Sequence, residues 1–145
     1  MPIKYKLIQR KNFAKDAQPD DKLYYASILS NGTVPFDEIC ESISEETAMT
    51  SAEVKGCFDR MVRLLVRHLR EGRNVQMGEL GSFRMTLGSL GVETESEFNA
   101  ATMMKRPSIV FTAGKALQEM RDRVTYIRVK ENDSETSEGG TPGGV

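Results

Sequence analysis

The stretch GELGSFRMTL, residues 78–87, carries most of the information about the fold. Glycines at positions 78 and 81 indicate a tight turn. After the turn, apolar Phe83, Met85 and Leu87 alternate with other residues, which is typical of a half-buried strand. The segment 74–77 reads as the preceding strand. Residues 75–87 are therefore predicted to form a β-hairpin.

The chain after this hairpin predicts an extension, a return strand and a helix. Residues 88–104 form the extension, whose outgoing half carries Glu93, Glu95 and Glu97. The return strand covers residues 108–111, and a third helix begins around residues 112–115, with Thr112 as its expected cap. A last strand at residues 125–129 could pair with strands near the N-terminus.

Two amphipathic helices are predicted before the hairpin. The first starts near Thr33 and Pro35 and places apolar residues on one face. The second begins with the capping box Thr50-Ser51-Ala52-Glu53 and ends at Gly72. Its apolar stripe consists of Val54, Phe58, Met61, Leu65 and Leu69. The combined apolar faces exceed what a helical hairpin covers alone, so we expect an obligate two-fold dimer.

Charge and composition divide the chain into three predicted parts. Residues 1–33 contain two strand candidates, 3–12 and 23–29, and carry six Lys/Arg against three Asp. Residues 34–130 form the central domain, with equal numbers of acids and bases. Residues 131–145 carry four acids and no base and are expected to be a disordered acidic tail.

The sequence offers little for catalysis, metal binding or membrane insertion. No long apolar run or apolar leader is visible, so a cytoplasmic protein is expected. Cys40 and Cys57 fall on apolar helix faces and are predicted to be buried free thiols. His68, the only histidine, has no partner at ligand spacing. No catalytic residue, metal site or cofactor is predicted, and the protein is not expected to be an enzyme.

Three segments resemble the bacterial histone-like HU/IHF family: EGRNVQM (71–77), ELGSFRM (79–85) and FTAGKAL (111–117). The similarity covers residues 34 to about 124, and the flanking strands make the chain look like a Bacteroides-type HU-related variant. The resemblance implies an α+β intertwined homodimer in which a helical hairpin, a β-hairpin with an extended arm and a C-terminal helix build a DNA-binding domain over residues 34–130. It also implies duplex DNA as partner and association with the bacterial nucleoid.

The resemblance further implies phosphate contacts near the base of the arm. Lys115 matches the lysine of the AGK turn and lies in the first turn of the third helix. Ser82 stands in the glycine-flanked turn, Arg84 follows on the strand, and Thr112 lies at the helix entry. Turn and cap chemistry explains Ser82 and Thr112 equally well.

The remaining basic candidates fall outside the turn. Lys105 and Arg106 lie on the returning half of the arm, opposite the acidic outgoing half, which disfavours strong bending of DNA. Arg63, Arg67 and Arg70 line one face of the second helix. That stripe is either a solvated face or a second phosphate-tracking surface. Apolar Phe98, Met103 and Met104 in the arm pack against the partner chain, dock on the body or wedge DNA.

Two functions follow. The first is an architectural protein that binds duplex DNA with little sequence preference. The second is a dimer of the same fold that has lost DNA bending and binds another, unknown protein or serves a structural role.

Overall fold

The computed structural model of the protein describes residues 1–130, which fall into two compact units. One unit combines residues 1–33 with the residues that follow position 122, and the other is Val34–Asp122. The predicted acidic tail lies outside the described residues. In the part of the chain that is described, no helix has both the length and the apolar composition needed to cross a bilayer.

Helices α1 (Phe36–Glu46) and α2 (Ser51–Arg70) form the predicted helical hairpin of the second unit. The rings of Phe36 and Phe58 pack edge to face with centroids 5.2 Å apart. Lys55 Nζ lies 2.8 Å from Asp37 Oδ1 across the pair. The predicted capping box of α2 is present, and Gly72 adopts a φ of 75° just after the helix. Both helix predictions are confirmed.

The same unit contains a three-stranded antiparallel sheet in the order β3-β4-β5. Its strands are β3 (Val75–Gln76), β4 (Gly81–Thr86) and β5 (Ser108–Ala113), and a 3₁₀ turn at Gly78–Leu80 joins the first two. Helix α4 (Lys115–Asp122) follows β5 after one residue. The hairpin and its return strand are thus confirmed, and the α+β class with them.

The expectation that Thr112 caps the third helix is wrong. Thr112 lies inside β5, where it is paired with Ser82. The strand continues to Ala113, and Gly114 makes the transition, its carbonyl accepting the first helical hydrogen bond from the Gln118 N–H at 3.0 Å. The sequence favours a cap because Thr is common at that position. The pairing of β5 with β4, however, extends beyond the apolar residues 109–111 and includes Thr112.

The extension between β4 and β5 is compact. Sheet pairing ends at Thr86 and Ser108, after which only a single bridge joins Ser89 to Met104. A 3₁₀ turn (Glu95–Glu97) and the four-residue helix α3 (Ala100–Met103) fill the segment. The Asn99 side chain caps α3 by accepting from the Ala101 N–H at 3.0 Å. Backbone hydrogen bonds join Leu90 to Met103 and Lys105 to Gly88, so the two halves of the extension are held together at its base.

The first unit is a three-stranded sheet in the order β2-β1-β6. Strand β1 (Ile3–Lys11) pairs antiparallel with β2 (Lys22–Ile28) and parallel with β6 (Tyr126–Arg128). The expected pairing of the last strand with the N-terminal strands is confirmed. Because β6 completes this sheet, the chain after residue 122 belongs to the same compact unit as residues 1–33, whereas the sequence predicts that the central domain extends to residue 130.

Very little of the described chain is buried. Only Cys40, Val54 and Leu69 are buried among its hydrophobic side chains. On α2, Val62, Leu64 and Val66 remain 54%, 52% and 51% exposed. The prediction of two buried cysteines is therefore half wrong, because Cys57 is exposed on a side of α2 that no segment of residues 1–130 covers. The apolar surface left over is far larger than a single small domain usually shows.

We predict that the capping box sets the stability of α2. Thr50→Ala should lower the free energy of unfolding by about 1 kcal/mol, since the Glu53 N–H loses its acceptor, whereas Ser51→Ala one residue on should have little effect. Hydrogen bonds from the Thr50 backbone and side chain hold the pKa of Glu53 below its ordinary value. A carboxyl group whose pKa is lowered by folding stabilises the fold at pH values above its ordinary pKa. This contribution is lost as the pH falls through the lowered pKa.

Glu53→Gln should accordingly destabilise the protein at pH 7, and its difference from the wild type should fade as the pH falls through the lowered pKa of Glu53. Denaturant unfolding at one fixed protein concentration measures all three variants. Equal stability of Thr50→Ala and Ser51→Ala would contradict the assignment, as would a Glu53→Gln effect that persists in acid.

Candidate nucleic-acid interface

The sheet of the second unit has one polar face. Side chains of directly paired residues lie on the same side of a sheet, and the register pairs Ser82 with both Gln76 and Thr112 and pairs Thr86 with Ser108. Arg84 lies between Ser82 and Thr86 on this side. We call this surface the polar sheet face; apart from Val110 it consists of Gln76, Ser82, Arg84, Thr86, Ser108 and Thr112.

The opposite face of this sheet is apolar. It carries Val75, Phe83, Met85, Ile109 and Phe111. The rings of Phe83 and Phe111 lie 5.0 Å apart between centroids. Apolar side chains favour contact with protein over contact with water, although Ile109 and Phe111 stay exposed within residues 1–130. The alternation of the strands turns the hydroxyls and the Arg84 guanidinium to the other side. The face that remains for a ligand is thus decided by the apolar residues behind it.

Two glycines hold the sheet against the start of α4. Gly81 has a φ of 140°, and a Cβ there would collide with the Thr112 carbonyl oxygen. A Cβ on Gly114 would collide with the Glu79 carbonyl group. The Gly114 N–H donates to the Leu80 carbonyl at 2.9 Å across this crossing. The 3₁₀ turn and the β5–α4 junction therefore pack backbone against backbone, a spacing that only glycine permits.

Lys115 stands at the first position of α4, directly beyond this crossing. Its side chain is 84% exposed, and its Nζ lies 3.9 Å from Glu119 Oε1, a weak ion pair along the helix. The first backbone N–H groups of a helix lack intrahelical partners and attract anions. Lys115 thus adds a cation to a terminus that is already favourable for phosphate.

Lys105 and Arg106 lie at the other end of the sheet, just before β5. The Lys105 N–H donates to the Gly88 carbonyl at 2.8 Å, which ties the end of the extension to the end of β4. Both residues are exposed. A six-residue strand spans roughly 20 Å, so β5 carries one basic site before its first residue and another, Lys115, after its last.

The arginines of α2 are not on this sheet. By the helical repeat they lie on the side of α2 opposite Val54 and Leu69, its two buried residues. Arg63 Nε is 3.3 Å from Asp59 Oδ2, an exposed pair one turn apart. The sequence candidates therefore separate into two groups: one on or beside the sheet (Ser82, Arg84, Lys105, Arg106, Thr112 and Lys115), and one on α2 (Arg63, Arg67 and Arg70).

Another side of α2 borders a groove of about 830 Å³ that also reaches β3. Its walls are mostly apolar, with Met61, Leu65 and His68 from α2 and Val75 and Met77 from the hairpin. In residues 1–130, no group of three His, Cys, Asp or Glu side chains is arranged to hold a metal ion. The groove has the character of uncovered core rather than of a reaction centre.

Sequence reasoning missed three members of the polar sheet face. Gln76, Thr86 and Ser108 share the face with the predicted residues, and strand alternation from Ser82 and Arg84 could have found Thr86. Gln76 and Ser108 required the register between strands, which the sequence does not contain.

Phe98, Met103 and Met104 lie within the extension, where the Asn99 N–H donates to Met103 Sδ at 3.4 Å.

Comparisons with known proteins agree with this architecture. A family model described as "HU domain fused to wHTH, Ig, or Glycine-rich motif", HU-HIG, matches residues 1–128. The structure is similar to the crystal structure of a "Putative bacterial DNA binding protein" from Bacteroides vulgatus, with a TM-score of 0.55 and 20% sequence identity. The similarity covers 89% of this chain and 50% of that one, so the chain spans half the length of this neighbour. No curated protein matches the chain.

We predict that the glycine crossing is indispensable to this surface. Gly81→Ala and Gly114→Ala should each destabilise the fold by about 2 kcal/mol or more, because backbone atoms occupy the space of the new methyl group. Gly91→Ala is the matched control, since nothing lies within 4 Å of a Cβ at that position. Its stability should stay within about 0.5 kcal/mol of the wild type. Thermal unfolding of the three variants measures the effect; a Gly114→Ala protein as stable as Gly91→Ala contradicts the crossing.

Proposed function

The chain belongs to the HU-HIG family, and we propose from this that it is a homodimeric architectural protein that binds duplex DNA with little sequence specificity. The observation that carries the proposal is the polar sheet face, which continues into the N-terminus of α4 with Lys115. The proposal assigns no catalytic role to any residue. A nucleoid-associated, cytoplasmic location would follow from this activity.

The chemistry of the polar sheet face suits the DNA backbone. Ser82, Thr86, Ser108 and Thr112 supply hydroxyl groups, and hydroxyls, arginine and helix N-termini make most protein contacts to phosphate and sugar. Arg84 is the one cation on the strands of this face. Base reading requires several bidentate side chains inside a groove, and only Arg84 and Gln76 on this face have such groups. Weak sequence preference follows.

Lys105, Arg106 and Lys115 complete the proposed interface at the two ends of β5. Each is exposed and outside the sheet proper, so it can reach phosphates without distorting the strands. Lys115 combines its own charge with the free N–H groups of α4. We assign Arg63, Arg67 and Arg70 a secondary role as a phosphate-tracking stripe, since Arg63 already shares its charge with Asp59.

We propose a dimer because few hydrophobic side chains are buried within residues 1–130. Three buried hydrophobic side chains within residues 1–130 are too few to hold a domain of this size, whereas α2 presents exposed Leu64 in its groove and exposed Val62 and Val66 outside it. A second copy supplies an apolar surface of matching composition and explains why α2 is apolar around most of its circumference. Two copies would also present two polar sheet faces to one duplex.

The alternative is a dimer that binds another protein and has lost DNA bending. The extension favours it, since Glu93, Glu95 and Glu97 accompany exposed Leu87 and Leu90. Acidic groups repel phosphate, while exposed apolar side chains suit a protein surface. We rank this second because the polar sheet face and Lys115 have no role in it.

We predict micromolar or tighter binding to linear duplex DNA, with an affinity that falls steeply as salt rises. Arg84→Gln combined with Lys115→Gln should reduce the slope of log K against log salt by about 2, because each residue neutralises one phosphate. Lys55→Gln with Arg73→Gln removes the same charge elsewhere in the unit and should leave the slope nearly unchanged. Fluorescence anisotropy at several salt concentrations measures all three. No binding at low salt, or equal slopes in the two double variants, contradicts the proposed interface.

We predict that the dimer depends on the exposed apolar residues of α2. Light scattering should give twice the chain mass of 16.2 kDa. Leu64→Asp should dissociate or unfold the protein, because it places a charge in the contact. Arg67→Asp, on the polar side of the same helix, should keep the wild-type mass. A compact wild-type monomer, or a Leu64→Asp protein that remains a stable dimer, rules out this interface.

A further inference from the structure

The sheet of the first unit concentrates positive charge without any acid. Strands β1, β2 and β6 contain no Asp or Glu, and their six basic residues are Lys4, Lys6, Arg10, Lys11, Lys22 and Arg128. All six are exposed, and within residues 1–130 none of them forms an ion pair. The sheet of the second unit has one basic residue on its strands, Arg84. The larger positive charge therefore lies on the first unit.

The register sorts these charges onto two different faces. Lys4, Lys6 and Arg10 lie on one side of the central strand β1, with Ile8 between Lys6 and Arg10. The neighbouring strands add four residues to this side: Leu23, Tyr25 and Ser27 from β2 and Ile127 from β6. The other side carries Lys11, Lys22 and Arg128 at its margins. Its centre is apolar and borders a cavity of about 680 Å³ lined by Ile3, Tyr5, Leu7, Ala26, Ile28 and Tyr126.

We infer that the side bearing Lys4, Lys6 and Arg10, here called the basic sheet face, is a second binding surface for the phosphate backbone of duplex DNA. The inference rests on the proposed function and adds a site to it on the other unit. Three cations along one strand, with no acid on any of the three strands, are complementary in charge to the phosphates of a duplex.

Geometry supports a backbone contact over an isolated anion. Alternate residues of a strand are roughly 6.6 Å apart, and Lys4 to Arg10 spans about 20 Å. Lys4 and Lys6 thus repel each other within one Debye length, about 10 Å at moderate salt. A polyanion relieves this repulsion and releases counterions. Tyr25 adds a phenolic hydroxyl between Lys6 and Arg10, a further donor for phosphate oxygen.

The composition of the opposite, apolar side of the sheet explains why DNA is assigned to the basic sheet face. A surface of Ile3, Leu7 and Ile28 gains free energy from contact with protein and none from phosphate. The two sides of one thin sheet therefore differ in the partner they suit. The basic side is the one available to DNA, and the apolar side gives a control set of three cations, at its margins, with the same total charge.

Lysine footprinting of the full-length chain tests the inference. The protein is treated with a lysine-selective acylating reagent with and without linear duplex DNA at low salt, and modification is located by mass spectrometry. DNA should slow modification of Lys4 and Lys6 in proportion to the fraction of protein bound, and it should leave Lys11 and Lys22 unchanged. Unchanged rates at Lys4 and Lys6 while DNA is bound overturn the inference, as does full protection of both in the free protein.

Charge variants give a second measurement. Lys4→Gln, Lys6→Gln and Arg10→Gln together should reduce the salt slope of duplex binding by about 3, one for each lost phosphate contact. Lys11→Gln, Lys22→Gln and Arg128→Gln remove the same charge from the other side and should change it little. Equal slopes in the two triple variants overturn the inference.

Lys115 reports on the proposed function in the same footprint. Protection of Lys115 without protection of Lys4 and Lys6 retains the polar sheet face and rejects the second surface. Protection of Lys4 and Lys6 alone does the reverse. Absence of DNA binding by the wild-type chain rejects both, because the inference requires a bound duplex.

Discussion

The main physical constraint on this fold is the apolar surface that residues 1–130 leave exposed to water. Helix α2 buries Val54 and Leu69 but exposes Val62, Leu64 and Val66, and the apolar side of the β3-β4-β5 sheet leaves Ile109 65% exposed. At about 25 cal/mol for each Å² of apolar surface removed from water, covering these side chains would stabilise the fold further. On the same ground we expect the apolar side of the sheet to contact protein, which leaves the polar sheet face for a ligand.

The backbone crossing at Gly81 and Gly114 brings the groups of the candidate site close together. It places the end of the sheet against the first turn of α4, so hydroxyls, one guanidinium and free N–H groups follow one another along a short path. None of these groups is unusual by itself. Their combination is suited to a phosphodiester backbone because every element is a donor or a cation, and because no carboxylate lies on the strands that present them.

Much of this could be predicted from the sequence, and the failures have physical causes. The capping box of α2, the glycine turn and the return strand are local signals, and each is present in the structure. The prediction of Thr112 as a cap is wrong because cap propensity is local, whereas the strand pairing that holds Thr112 in β5 is not. The prediction of a buried Cys57 is wrong because helical periodicity identifies an apolar face without showing what covers it. Gln76 and Ser108 joined the candidate site only through cross-strand register.

The positive charge of this chain does not lie mainly on the extension between β4 and β5. The extension carries three glutamates on its outgoing half, while the strands of the first unit carry six bases and no acid. Binding of duplex DNA by the polar sheet face of the second unit can be tested directly by nuclear magnetic resonance. On titration with a linear duplex, the amide signals of Ser82, Arg84, Thr112 and Lys115 should shift together and saturate at one stoichiometry. Shifts confined to the groove beside α2 or to the acidic extension, with these four unchanged, would contradict it.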